Sequence, residues 1–413
     1  MSLHRARRRL PVVDGLPKSR NRYFNDRKVR ERPSPTYAVW EFTLACDQRC
    51  QACGPRAGKA RPDELSLEES LDLVDELADL GVGEVTMIGG EAYLRDDVLA
   101  VVRRIRERGM KATMTTGGLT LERRRIAALV EAGIELISVS IDGLEATHDT
   151  LRGTPGGWKR AFDALRFARE AGIKIGANSQ INRRSMRELV ALGELLADAG
   201  IEVWQMFLTI AHGNAADHTE MVLQPYMLIE AYEEIERVLD LCDARGIRFW
   251  PGNNLGYFGP LEKRLRRNQN ADAHYKGCQA GRTGLGIESN GAIKSCPSLG
   301  GPANTGGNVR EQSLLQLWEE APQIRATQRR TVDDLWGYCR ECYYAETCMA
   351  GCTATAEPLF GRPGNNPFCH HRVLELRERG LRERVVMTKA APDEPFGMGA
   401  FELIVEPFDS DGD

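Results

Sequence analysis

The chain has 413 residues, 42% of them hydrophobic, and a formal net charge of −4. That length suits two domains with sizeable cores, and a composition this ordinary excludes a collagen-like, low-complexity or disordered chain. No window is apolar enough to span a bilayer, and the mild acidity gives no reason to expect a nucleic-acid partner.

The first 35 residues form a basic arm: residues 5–32 hold eleven Lys/Arg against three acids. It reads as a solvated tail or as an arm for an acidic partner. Arg8-Arg9 has no apolar stretch behind it, so it is no export signal, and the chain reads as cytoplasmic. Eleven cysteines in such a chain point to metals rather than disulfides, because cytosolic thiols stay reduced and these are clustered.

Over residues 36–245 an apolar strand, a loop, an amphipathic helix and a glycine recur, beginning with a strand at Tyr37–Leu44. Gly81, Gly109, Gly133, Gly172, Gly200 and Gly246 each close a helix and precede a new apolar run. Ser66-x-x-Glu69 and Ser185-x-x-Glu188 read as capping boxes. Leu94, Val98, Val101, Val102 and Ile105 share one helical face. Alternating strands and helices predict a parallel sheet, doubly wound or in a barrel, with its chemistry on loops at the strand C-termini. Residues 246–275 read as a linker, 276–385 as a cysteine-organised second domain with an Asn290-Gly291 hairpin, and 386–413 as a tail.

Directly after the first strand comes Cys46-x₃-Cys50-x₂-Cys53. Three thiolates on one loop can hold an iron–sulfur cluster with one open iron, or a zinc ion completed by a distant fourth ligand. The next strand ends in Gly89-Gly90-Glu91, where small residues permit close approach and a carboxylate can hold a cationic amine.

Together these two motifs make the chain resemble the radical SAM superfamily. The resemblance implies an α/β fold with a partial (βα)₆ barrel. It also implies a 4Fe–4S cluster on Cys46, Cys50 and Cys53 that chelates S-adenosylmethionine, with Gly89, Gly90 and Glu91 at the amine. Thr115-Thr-Gly-Gly118 and Ser140-Ile-Asp-Gly143 match further. By the same resemblance Ser140, Asp142, Arg152 and Asn178 are expected at the ribose and carboxylate. For Arg152 a structural ion pair is an equal reading, Asn178 and Gln180 suit in-sheet roles as well, and His148 is assigned no catalysis. Two positions depart from the pattern: Ala92 stands where proline is usual, and Ala52 where an aromatic is frequent. Trp204 or Phe207 is then a candidate surface for adenine, with core packing the alternative.

In the second domain Cys278 is followed by Gly291-x₄-Cys296, then Cys339-x₂-Cys342-x₅-Cys348-x₃-Cys352, and finally Cys369. This order resembles the full SPASM signature. It implies two auxiliary iron–sulfur clusters, one on Cys339, Cys342, Cys348 and Cys369 and the other on Cys278, Cys296 and Cys352. The second has an open iron or, as the lesser alternative, Cys242 as fourth ligand. An inert buried thiol is the default for Cys242.

Enzymes with full SPASM domains imply radical oxidation of a ribosomally made peptide, with formylglycine formation in sulfatases second and small-molecule or sugar oxidation third. An electron donor such as flavodoxin or ferredoxin is expected. The 45 residues before Cys46 are too few for a winged-helix leader-binding domain. Any leader is expected to use the barrel, the basic arm or a separate protein.

Overall fold

The computed structural model describes residues 34–269 and 272–410. Seven strands run parallel and neighbour one another in chain order: β1 (Tyr37–Thr43), β2 (Glu84–Gly89), β3 (Lys111–Thr116), β4 (Leu136–Ser140), β5 (Lys174–Ile181), β6 (Val203–Leu208) and β7 (Arg248–Pro251). Alternation explains β1: Ala38, Trp40 and Phe42 are fully buried on one face, with the Trp40 and Phe42 rings edge to face at 5.3 Å. The helix Leu67–Asp79 covers the sheet with Leu73, Val74 and Leu77. Its Ser66–Glu69 capping box forms as expected. All six helix-closing glycines have positive φ, from 70° to 102°.

The second domain is continuous with the barrel sheet. β8 (Gly284–Ile287) pairs parallel with β1, Tyr37 opposite Gly284 through Trp40 opposite Ile287. β9 (Ala292–Lys294) and β10 (Thr305–Asn308) follow antiparallel, so that β10 and β7 are the two edges of an open ten-stranded sheet. The expected turn at Asn290-Gly291 joins β8 to β9, with Gly291 at φ +86°. A buried set of charges fastens this seam. Arg61 lies 3.1 Å from Glu41 on β1 and 3.2 Å from Glu288, which Lys294 meets at 3.0 Å. Each charge is paired, as burial requires.

Three expectations need correction. Residues 246–275 are not a plain linker, since β7 and the helix Glu262–Arg266 lie there. Residues 386–413 are not a tail. β11 (Leu381–Lys389) and β12 (Ala400–Pro407) form an antiparallel hairpin that crosses the expected boundary at 385. Ser185 caps nothing: its hydroxyl donates to the Gln180 carbonyl at 2.9 Å. Glu188 instead accepts from the Leu144 N–H and the Thr147 hydroxyl, both at 2.7 Å. Of the basic arm over residues 1–35, residues 1–33 lie outside the described residues.

Candidate cluster and cofactor site

The loop after β1 is fastened from both sides. Cys46 N–H donates to the Gly58 carbonyl at 3.2 Å, and Gly58 N–H returns to Leu44 at 2.9 Å. Arg49 and Gln51 donate to the carbonyls of Arg152 and Leu151, at the end of the helix Glu145–Arg152. Beyond β6, Asn214 gives its backbone N–H to Cys53 at 3.0 Å and its side-chain amide to Cys50 at 2.9 Å. Donors also face the sulfurs: Gln48 N–H reaches Cys46 at 3.4 Å, Ala57 N–H reaches Cys53 at 3.2 Å, and Arg152 reaches Cys50 at 3.7 Å. Burial pushes the Cys46 thiol up to about 12 and Cys53 to about 11, and raises Cys50 as well. Three thiols gathered where ionisation is costly, yet supplied with donors, suit a cationic metal group that stabilises thiolates.

Glu91 follows β2 and is 2% exposed. Gly117 N–H donates to one of its oxygens at 2.6 Å, and the Thr116 hydroxyl donates to the other. Burial raises this carboxyl to about 8, even with the smaller lowering by those two donors. A ligand ammonium would supply the compensation the chain itself lacks. The two glycines also serve packing within the chain. A Cβ on Gly89 would collide with the Thr43 carbonyl, and one on Gly90 with the Ala45 carbonyl. Their lack of side chains therefore lets β2 close against the cysteine loop, where Glu91 N–H donates to Ala45 at 2.7 Å. Cys46, Asp47 and Glu91 each bring a ligand atom within 4.8 Å of the others.

Ser140 and Asn178 stand opposite each other where β4 and β5 pair, and Asn178 donates to the Thr115 hydroxyl at 3.3 Å. Arg152 pairs with Asp142 at 2.6 Å, and Asp142 also accepts Gln180 N–H at 2.8 Å. His148 accepts the Asp142 N–H at 3.2 Å through Nδ1, which makes it a buried support. Trp204 is fully buried, gives its ring N–H to Ser179 at 2.9 Å and lies against Gly193 of the helix Leu189–Ala199, so it presents no surface to adenine. Sequence reasoning missed Asp47, Gln48 and Asn214. Asp47 accepts from Tyr93 at 2.8 Å and from Thr120 at 2.6 Å, and no local pattern announces these partners.

The seven cysteines of the second domain separate into two groups. Cys339, Cys342, Cys348 and Cys369 line one small cavity together with Tyr257, Tyr338 and Arg372. Arg372 is 1% exposed and pairs with Glu383 at 2.5 Å. Cys278 and Cys296 are the sulfurs that act most strongly on Cys352. Between Cys348 and Cys352 the chain takes three successive left-handed residues, Met349, Ala350 and Gly351, at φ 50°, 60° and 68°. This turn divides the two sulfurs between the groups, at the cost of strain at two non-glycine positions. Cys242 is fully buried in the barrel core, and the charges that act on it are Asp243 and Arg267 rather than any cysteine.

Residues 40–182 match the radical SAM superfamily, and residues 278–343 match the iron–sulfur cluster-binding SPASM domain. The chain belongs to the radical SAM superfamily. Its relatives include an AdoMet-dependent heme synthase of Methanosarcina barkeri, 27% identical over 354 residues, 82% of this chain and 97% of that protein. The PqqA peptide cyclase of Rhizobium meliloti is 28% identical over 352 residues, 83% of this chain and 89% of that protein. Streptococcus suis SuiB, solved with S-adenosylmethionine, shares the fold, with a TM-score of 0.63 and 20% identity over 78% of this chain and 74% of that one. As a radical SAM enzyme with a SPASM domain, the protein uses a 4Fe–4S cluster with S-adenosylmethionine, and auxiliary iron–sulfur clusters. Among the described residues no helix is long and apolar enough to cross a membrane.

Proposed function

We propose that the protein is a peptide maturase that oxidises or cross-links a ribosomally made peptide. In this reading Cys46, Cys50 and Cys53 hold the 4Fe–4S cluster and Glu91 takes the cofactor's ammonium. Ser140, Asp142, Arg152 and Asn178 border its ribose and carboxylate. Bound S-adenosylmethionine, cleaved by an electron from flavodoxin or ferredoxin, supplies a carbon radical that removes a substrate hydrogen atom. The chain's own part is to fasten the cysteine loop, keep water out and hold the substrate beside that carbon.

The observation that carries the proposal is the pair of separate cysteine groups, four sulfurs and three, in the second domain. Removing one hydrogen atom leaves the substrate with an electron to lose, and nearby clusters can accept it as a proton departs. The likeness to a PqqA peptide cyclase over most of both chains supports a peptide substrate.

A second reading, radical chemistry on a tetrapyrrole side chain, is favoured by the heme synthase likeness, which spans 97% of that protein. Sulfatase maturation and sugar oxidation rank behind both. Incubation of the reconstituted enzyme with candidate precursor peptides and, separately, with an iron porphyrin precursor separates the readings. A peptide product lighter by two hydrogens, formed with 5′-deoxyadenosine, supports the proposal. Turnover of an iron porphyrin precursor and none of the peptides would replace it.

A further inference from the structure

Tyr275 lies three residues before Cys278, within the second domain's group of three cysteines. It is 3% exposed, and its hydroxyl is buried with no hydrogen-bond partner. The side chain is held firmly. Its ring meets Tyr257 edge to face at 4.8 Å, the Arg266 guanidinium lies 5.2 Å over it, and its backbone N–H donates to Glu262 at 2.7 Å. Tyr257 provides the contrast, since its hydroxyl donates to the Asn253 carbonyl at 2.5 Å and accepts Cys352 N–H at 3.1 Å.

Folded chains seldom leave a buried hydroxyl unused, and one that is unused points to a group that occupies the site. The surroundings of Tyr275 identify that group. Tyr275 belongs to one buried cluster with Tyr257, Leu299, Cys352 and Ala354, against which Cys296, Cys348 and Cys369 pack. After burial itself, the groups that act most strongly on its hydroxyl are the sulfurs of Cys278, Cys352 and Cys348. The hydroxyl is thus a single buried donor in sulfur-rich surroundings.

We propose that the Tyr275 hydroxyl donates a hydrogen bond to the auxiliary cluster on Cys278, Cys296 and Cys352 and raises its reduction potential. The proposal rests on the assignment of those three cysteines to one cluster. A hydrogen bond to a cluster sulfur stabilises the reduced state, which carries more negative charge, so it eases acceptance of the substrate's electron.

The test is Tyr275→Phe in the full, anaerobically reconstituted chain, with Cys46, Cys50 and Cys53 replaced by Ala so that only the auxiliary clusters report. Iron content should be unchanged. The potential of one cluster should fall by roughly a tenfold shift in its redox equilibrium, about 59 mV for one electron. An exchangeable-proton coupling in its reduced-state ENDOR spectrum should vanish. An unmoved potential and coupling would overturn the hydrogen bond, and loss of iron would make the phenol a ligand instead. Cys278→Ala should remove that cluster's iron, and full retention there would overturn the ligand assignment on which the proposal rests.

Discussion

The Arg152 guanidinium joins two parts of the site, pairing with Asp142 at 2.6 Å and reaching the Cys50 sulfur at 3.7 Å. The contact ties the end of β4 to the cysteine loop across 102 positions of sequence. Both side chains of the ion pair are nearly buried, so removing the cation strands Asp142 in the interior. Arg152→Met should cost the cluster-free chain about 3 kcal/mol in denaturant unfolding. Arg152→Met with Asp142→Asn should cost clearly less than the sum of the two single changes. Additive losses would mean that the pair is not coupled.

In the proposed reading Glu91 holds the cofactor's ammonium. Because a hydrogen bond to a charged group is worth about 1.5–3 kcal/mol, Glu91→Gln should weaken S-adenosylmethionine binding roughly 10- to 100-fold, measured by calorimetry under anaerobic conditions. Cluster absorbance should be unchanged. Gly90→Ala should act differently. Its Cβ meets the Ala45 carbonyl, so it should displace the cysteine loop and lower cluster retention itself.

The tip of the C-terminal hairpin reaches the same loop. Phe396 N–H donates to the Gly54 carbonyl at 2.8 Å, and Gly213 N–H donates to Gly397 at 2.8 Å. The Phe396 ring stacks on His212 at 5.6 Å, with the Lys294 ammonium 3.9 Å from its centre. Phe396→Ala should cost about 3 kcal/mol, as loss of a buried ring does, and should open residues 390–399 to limited proteolysis.

His212 also sets a pH dependence. Burial, and secondarily the Lys294 charge, lowers its imidazole to about 4. An imidazole with a depressed folded value contributes stability above its unfolded value near 6.5, and that stability is lost as pH falls toward 4. Between pH 7 and 4 the unfolding free energy of the cluster-free chain should fall by about 3 kcal/mol more than that of His212→Gln. Equal slopes would remove His212 as the source.

Cys242 should prove inert. Its surroundings are apolar core, so Cys242→Ala should keep every iron and the activity, at a cost of about 1 kcal/mol. Iron loss in this variant, read by colorimetric assay, would make it a ligand.

What the sequence made legible was what lies close together along it. The cysteine loop and Gly89-Gly90-Glu91 each sit within a few residues at a strand end, and the six glycines mark helix ends one by one. What escaped depends on distance or on competition. The pairing of Tyr37 with Gly284 joins segments 247 residues apart and leaves no local periodicity. β11 and β12 are separated by residues 390–399 rather than a two-residue turn, and the many charges of Arg382-Glu383-Arg384 obscure their alternation. Ser185-x-x-Glu188 has the spacing of a capping box, but Glu188 finds better donors at Leu144 and Thr147. Asp47 and Asn214 matter through partners that only the folded chain brings near.

The most direct test of the whole account is iron per chain beside S-adenosylmethionine cleavage. Anaerobic reconstitution should give about twelve irons if all three sites carry four-iron clusters, or about ten if one holds two. Replacing Cys46, Cys50 and Cys53 by Ala should remove roughly four irons and abolish 5′-deoxyadenosine formation, while the auxiliary clusters persist. A triple variant that keeps its full iron and still forms 5′-deoxyadenosine would contradict the account.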